Sequence, residues 1–500
     1  MGNMPSHRTT SLGLLTALVV GVFWLLSRWL DPGTEATSSS WSRTTGGYPP
    51  YLNVHGSATP ASTPDRFPRR RRNVAFATSF VLHGDVYMAF AKSVGDVMDA
   101  EGGDDQRIDL FAPEFSFGFQ GVVDDLNLWT HRGIRAGTDQ LIEHVNKSSE
   151  DGGIQLIVLG TCEFDMNHYQ SALVDAWGSR RDDDKFKIAC VVHNVDDLRW
   201  QRHIPFWARR NAIRLLPIAD HVAKGFRERF AVQADSLEPL LYTVGLEHIP
   251  VDVHVPILDI PHLPVRPLPR ALEKAVIQGT FAAERRNYAG IFRGLIASLH
   301  EDPKAWGYRP LDGRPSFVPD PDSPIPPFRL LLVGSGWLDV PEELSHVVSM
   351  HTNLPYHDFY ELIADCDIVV PAFADNTYLS VQASSTIALA TELQVPLLVT
   401  NRTRRAYRYI DDPRAVVTRP AAMPEVQALK ALRTGDASSF LSSDPADIGQ
   451  AIGALVPLRE AVDDMMHEGW IRETRSWKDW KEEVWKRNRE VAERILRDRP

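Results

Sequence analysis

The sequence predicts an α/β chain of two successive domains, each built on a parallel sheet, behind one amino-terminal membrane helix. Three observations predict it. An uncharged apolar run fills residues 12–26. From Asn73 onward, short apolar stretches alternate with segments of helical periodicity, the pattern of βαβ units on a parallel sheet. A proline-rich interval, residues 249–274, then separates this alternation from a second one of the same kind. A length of 500 residues suits two such domains, each with its own core.

The apolar run, extended to residues 11–30, approaches the ~20 residues a bilayer span needs. Trp24 and Trp29 suit the interface, and Arg28 can snorkel toward it. A cleaved signal peptide is the competing reading, but Arg-Trp-Leu-Asp-Pro follows the run where a small-x-small cleavage site is needed. The segment therefore reads as an uncleaved signal anchor after a short tail, residues 1–10. Residues 31–72, rich in Ser, Thr, Gly and Pro, read as a flexible stem. Arg8 before the span and Arg28 and Arg43 after it leave only a weak charge bias for orientation. Tail, span, stem and globular part in that order resemble type II Golgi glycosyltransferases. That likeness implies a single-pass protein of the Golgi or endoplasmic reticulum with its globular part luminal.

Composition narrows the function. Hydrophobic residues make up 43% and charged residues 24%, a globular balance. The net charge of −11 argues against nucleic acid as a partner of the whole chain. Arg69 to Arg72 are the exception, and read as a solvated linker run, with acidic headgroups or a processing site as alternatives. Three cysteines, Cys162, Cys190 and Cys366, make no disulfide framework and no zinc spacing. Cys162 and Cys190 lie in or beside apolar runs and read as buried free thiols.

In the first domain, residues 73–248, strands are expected at Val74–Leu82, Arg107–Ala112, Ile154–Gly160, Phe186–Val192 and Ile213–Ile218. Ligands of such sheets bind outside the carboxyl ends of the strands. His83-Gly84, Thr161-Cys162 and His193-Asn194 fall on that edge, which makes His83 and Gly84 candidates for an acceptor or donor loop. Prolines at 250, 256, 261, 264, 267 and 269 make residues 249–274 a linker. The second domain, residues 275–440, restarts at Ala275–Gln278, and Pro310–Pro327 interrupts it as a surface loop. Further strands are expected at Phe328–Val333, Ile368–Val370 and Val395–Val399, with helices at Tyr356–Ala364 and Ser384–Glu392. Residues 441–500 are helical, and Trp477, Trp480 and Trp485 fall near helical spacing, as for core or interdomain packing.

The second domain carries an ordered set of motifs: Gly279 to Arg285, Val-Gly-Ser-Gly at 333–336, Ala364-Asp365 leading to Val370-Pro371, and Val395-Pro396. This set resembles the retaining GT-B glycosyltransferases of group 1, or family four, and with the first domain the likeness spans about residues 74–430. It implies two Rossmann-like domains facing a cleft, a UDP- or GDP-linked sugar as co-substrate, no required cofactor or metal, and a glycan, protein or lipid acceptor. It also implies transfer with retention, with His193 near the donor sugar or acceptor. Arg285 falls where the family has its phosphate-contacting Lys, with Arg286 as the alternative. Thr280 stands at the family's Arg position. The family's paired glutamates align with Val381 and Leu389, and no glutamate lies between Glu361 and Glu392. Gly279 and the Ser384-Ser385 helix start offer a phosphate cradle, Ser384 also being a plain N-cap. Asp375 is the candidate replacement carboxylate. Asp365-Cys366-Asp367 spells a DxD motif but follows a helix and precedes a strand, so it reads as a helix end and not a metal site.

Two readings follow. One is a hexosyltransferase-type enzyme. The other is a catalytically inactive GT-B-like membrane protein that binds glycan or a partner glycosyltransferase, and the missing glutamates favour it. A sugar-nucleotide epimerase is a third, disfavoured because its small soluble substrates need no membrane anchor.

Overall fold

The computed structural model describes residues 73–498 apart from 103–105, 130–131, 149–150, 237–242 and 443–457. The expected anchor (11–30) and stem (31–72) lie outside the described residues. Among the described residues no helix is long and apolar enough to cross a membrane.

Two parallel-sheet α/β domains of six strands each make up the fold. The first sheet has the order β3-β2-β1-β4-β5-β6, with β1 Asn73–Ala77, β2 Arg107–Phe111, β3 Arg135–Ala136, β4 Leu156–Leu159, β5 Lys187–Val192 and β6 Ile213–Pro217. The second has the order β11-β10-β7-β12-β13-β14. Its strands are β7 Lys274–Thr280, β10 Arg329–Ser335, β11 Val348–Thr352, β12 Ile368–Val369, β13 Leu397–Val399 and β14 Val416–Thr418. Between them in sequence, β8 Tyr308–Pro310 and β9 Phe317–Pro319 form an antiparallel hairpin, so the stretch expected as a plain surface loop is partly ordered around buried Tyr308 and Phe317.

Strands buried on both faces read as continuous apolar runs, which is why β1 and β5 are buried along their whole lengths. The helices used below are α1 Gly84–Glu101, α2 Cys162–Ser179, α3 Asp220–Ala234, α4 Tyr288–Glu301, α5 Tyr356–Ala364, α6 Ser385–Glu392, α7 Leu458–Glu468 and α8 Trp477–Arg497. In both sheets the strand order reverses beside the first strand, between β1 and β4 and between β7 and β12. Such a switch point opens a crevice at the strand ends, and ligands of doubly wound sheets bind there.

The chain from 252 to 273 forms neither helix nor strand and buries Val255, Ile257 and Leu258. Helix α8 returns to the first domain and packs on α1. Asn488 grips Val255 through both backbone groups, at 3.0 and 2.8 Å. Lys187 in β5 pairs with Asp498 at 2.6 Å. At its other end, buried Lys481 donates to the Glu392 carbonyl of α6 (3.3 Å), so one helix ties both domains together. Trp477 and Trp480 are buried there as packing residues.

The cysteine expectation is corrected. Cys162 opens α2 and Cys190 lies in β5, their Cα atoms are 5.3 Å apart, and the two are joined as a disulfide. β4 and β5 are parallel neighbours with Leu159 opposite Cys190, so the residue that leaves β4 arrives beside it. Cys366 is free and buried.

Candidate active site

On the first domain, two acids at the start of α2 organise the strand ends. Asp165 Oδ1 accepts from the Ser79 N–H (2.6 Å), the Ser79 hydroxyl (2.9 Å) and the Thr78 hydroxyl (3.2 Å), and Oδ2 accepts from the Thr161 N–H (2.7 Å). It thereby fastens the exits of β1 and β4 to each other. Burial pushes its carboxyl up to about 7 against the pull of those donors. Glu163 Oε1 accepts from the N–H groups of His193 (2.6 Å) and Asn194 (3.1 Å) and fixes the exit of β5. Neither acid is among the residues singled out in the sequence. The available signal was two carboxylates in the first turn after a buried strand, where the helix dipole and the free N–H groups of a strand exit favour them.

His193 lies against His83, ring centroids 4.5 Å apart. Its Nδ1 is 3.6 Å from Glu163 Oε2, and neither of its ring nitrogens has a hydrogen-bond partner. His83 takes a left-handed conformation, φ 66°, as the N-cap of α1. Burial, and then the neighbouring His193, hold its imidazole well below the ordinary histidine value. Gly84 opens α1 under Phe119, where a Cβ would approach the ring to 3.0 Å. Val81 and Phe117 are exposed at 53% and 38%, and with Gly84 and Tyr356 they line an apolar crevice at this edge. A wider pocket lined by Leu198, Ile204, Phe230 and Leu246 shares no residue with this constellation.

On the second domain, the switch point belongs to Arg286. Its guanidinium is buried, and Nη2 donates to Thr386 Oγ1 (3.0 Å), the Gln278 carbonyl (3.3 Å) and Ser384 Oγ (3.4 Å). The rings of Phe373 and Tyr378 lie 5.0 and 5.2 Å from it. Arg286 Nε has no partner, and among the described residues no carboxylate pairs with this cation. Burial lowers its pKa for that reason. Gly279 has φ 137°, which favours glycine, and a Cβ there would stand 3.1 Å from Arg286 Nη2, a tight contact. The Arg285 guanidinium makes no hydrogen bond or ion pair among the described residues, though its charge bears on Arg286, and its carbonyl accepts from Arg286 Nη1 and the Ala374 N–H at 3.2 Å each.

Ser384 is the N-cap of α6 and buried, its N–H bonded to the Tyr407 hydroxyl (2.9 Å), which itself donates to the Tyr378 carbonyl (2.8 Å). Ser385 is exposed at the first helical position. Asp375 is exposed and occupied with its own turn, accepting from the Thr377 N–H at 2.8 Å. The structure thus gathers Gly279, Arg286 and Ser384 by contact, while Asp375 and the Arg285 guanidinium make no hydrogen bond to that cluster among the described residues.

The two edges touch. The Val195 N–H donates to the Val381 carbonyl and the Ala383 N–H to the His193 carbonyl, both at 2.8 Å, and Asn194 bridges Gln382 in antiparallel fashion. A buried cation, buried hydroxyls and a helix start therefore stand on one side of this contact, and two adjacent, tilted imidazoles on the other. The first set suits a polyanion, the second a hydroxyl or a transferred proton. Asp367 of the DxD triplet is fully buried and spent on Arg266, Arg270 and the Glu273 and Lys274 N–H groups. Among the described residues no three His, Cys, Asp or Glu side chains converge as a metal-binding set.

No protein-family model and no curated protein sequence matches the chain. Solved structures similar to it include a lipopolysaccharide outer core galactosyltransferase, WaaB, in its apo form, 10% identical, covering 83% of this chain and 99% of that one with a TM-score of 0.41. A glycosyltransferase from Rickettsia africae is 11% identical over 86% of this chain and 100% of its own, TM-score 0.42. A mutant of S. aureus TarM, in complex with Fondaparinux, alpha-GlcNAc-glycerol and UDP, is 7% identical over 86% and 100%, TM-score 0.44.

Proposed function

We propose that the chain is a glycosyltransferase that moves a sugar from a nucleotide-sugar donor to a glycan, protein or lipid acceptor in the cleft between its two domains. The observation that carries this reading is Arg286: a buried guanidinium at a switch point, with no carboxylate partner among the described residues, beside Gly279 and the start of α6. A buried charge without a counter-charge is costly, and a diphosphate supplies the missing anion. Departure of the sugar leaves the diphosphate more negative, so a cation fixed in advance stabilises the transition state more than the ground state. His193, on the facing edge, is proposed to contact the donor sugar or acceptor, with Glu163 holding its backbone. Transfer with retention, a UDP- or GDP-linked donor and a luminal orientation behind the anchor at residues 11–30 belong to the same proposal. The buried disulfide supports that compartment, since such bonds persist in oxidising surroundings.

A second reading is favoured by a specific feature. Val381 and Leu389 stand where the resemblance places paired carboxylates, and Phe373 and Tyr378 already cover the cation. On that reading the chain binds glycan or a partner glycosyltransferase and transfers nothing. Calorimetry of the full chain with UDP and with GDP is the first test. Binding of one of them with saturable heat is the expected result, and the absence of binding to both by folded protein would end the enzymatic reading.

A further inference from the structure

We propose that His221 is a positioning residue that latches the domains together, its imidazole on the first domain gripping two carbonyls of the second and holding loop 381–383 against the exit of β5. His221 lies in the first turn of α3 and is buried. Its Nε2 is 2.9 Å from the Gln382 carbonyl oxygen and its Nδ1 is 3.1 Å from the Ala406 carbonyl oxygen. Gln382 is the middle of three residues whose neighbours are already bonded across the interface, through Val381 to Val195 and through Ala383 to His193. Three successive residues of one loop are therefore held by the other domain, and the next residue, Ser384, caps α6. The same ring packs edge-on against Tyr407, centroids 4.7 Å apart, and the Tyr407 hydroxyl holds the Ser384 N–H.

A core histidine satisfied by its surroundings is the plain alternative, but the acceptors distinguish the two. A carbonyl oxygen only accepts, and a neutral imidazole carries one N–H, so both contacts are hydrogen bonds only in the imidazolium form. The charged and titratable groups around the ring are Asp220 beside it on α3, Arg408 facing Asp220, and Tyr407. Burial lowers the pKa of His221, while the two carbonyls and Asp220 pull it up. Its folded value thus lies below the ordinary one, so the latched ring holds a proton less readily than an opened, solvated one and protonation favours opening. The latch is tightest at the upper end of the histidine range, where the neutral ring donates to one of the two carbonyls. That it positions a nucleotide-sugar site rests on the function proposed above; the latch itself does not.

Hydrogen exchange of the full chain, corrected for intrinsic rates, tests it in wild type, His221→Gln and His221→Asn. Peptides covering 193–195 and 381–383 are followed from about pH 5.5 to about pH 7.5, a range that brackets histidine titration. In wild type, protection of loop 381–383 should rise severalfold as pH rises, because opening the latch frees the ring to take up a proton. Both variants, whose amide side chains do not titrate, should be flat. Flat wild-type protection overturns the latch, and so does a variant that keeps the wild-type pH dependence. Should neither variant fold, the wild-type series still decides, by its slope or its flatness across 381–383. UDP titrations at both pH values separate the two proposals: pH-dependent protection without UDP binding upholds the latch and refutes the nucleotide reading, and UDP binding with flat protection does the reverse.

Discussion

Replacing Arg286 by methionine separates stability from ligand binding. The guanidinium makes four hydrogen bonds, to Thr386 Oγ1, Ser384 Oγ and the carbonyls of Gln278 and Arg285, at 3.0 to 3.4 Å. All four acceptors are neutral, so against them stands the desolvation of an uncompensated buried cation, whose sign shows in its lowered pKa. Methionine keeps much of the volume beside Phe373 and Tyr378, and Thr386 Oγ1 still donates to Gln278 Oε1 at 2.6 Å. Exchange of a buried charge for an apolar chain is often neutral, so the unfolding free energy should change by no more than about 1 kcal/mol. UDP binding should respond differently. Loss of charge-assisted bonds to phosphate is worth about 1.5–3 kcal/mol, which weakens affinity at least about tenfold. Urea unfolding and UDP calorimetry on Arg286→Met and Arg285→Met measure both quantities. An Arg286→Met protein that is stable and binds UDP within about twofold of wild type would refute the assignment of this cation to the phosphates.

Thiol titration of the denatured, unreduced chain should find one free cysteine, Cys366; three would contradict the Cys162–Cys190 bond. Gly279→Ala should destabilise by about 1–3 kcal/mol, because φ 137° is strained for alanine and its Cβ presses on Arg286, and it should weaken UDP binding as well. Glu163→Gln removes the charged acceptor of the His193 and Asn194 N–H groups, and a loss of about 1–3 kcal/mol by urea unfolding is expected. Burial raises the Glu392 carboxyl from 4.5 to about 8. Between those values the folded state binds more protons than the unfolded state, so this group's contribution to stability falls as pH rises through the window. The stability difference between wild type and Glu392→Gln should therefore change between about pH 5 and about pH 8, and a pH-independent difference would show that Glu392 titrates normally.

Much of the architecture was legible because parallel strands are apolar along their length. Helix α5 sits at its expected bounds, and the strands expected at 107, 186 and 213 begin within a residue of their observed starts. Three of the four edge strands were not legible: β3 and β14 are only two and three residues long, and β11, Val-Ser-Met-His-Thr, lacks a continuous apolar run. The first strand ends at Ala77, five residues before Leu82, because Thr78 and Ser79 turn to bond Asp165. Residues sharing the strand-exit edge, such as His83 and His193, follow from topology and were readable. The choice between Arg285 and Arg286 was not, since it depends on which side chain the turn before α4 sends under Phe373. His221 sat inside an expected helix, but its partners Gln382 and Ala406 lie 161 and 185 residues away, beyond any local pattern.

The central claim is sugar transfer from a nucleotide donor, and the most direct measurement is nucleoside diphosphate release by the full chain across a panel of UDP- and GDP-sugars. The account predicts consumption of at least one donor, with the rate lost in Arg286→Met. A folded chain that binds UDP or GDP yet consumes no donor, with or without glycan, protein or lipid acceptors, would contradict it and leave the non-catalytic reading in its place.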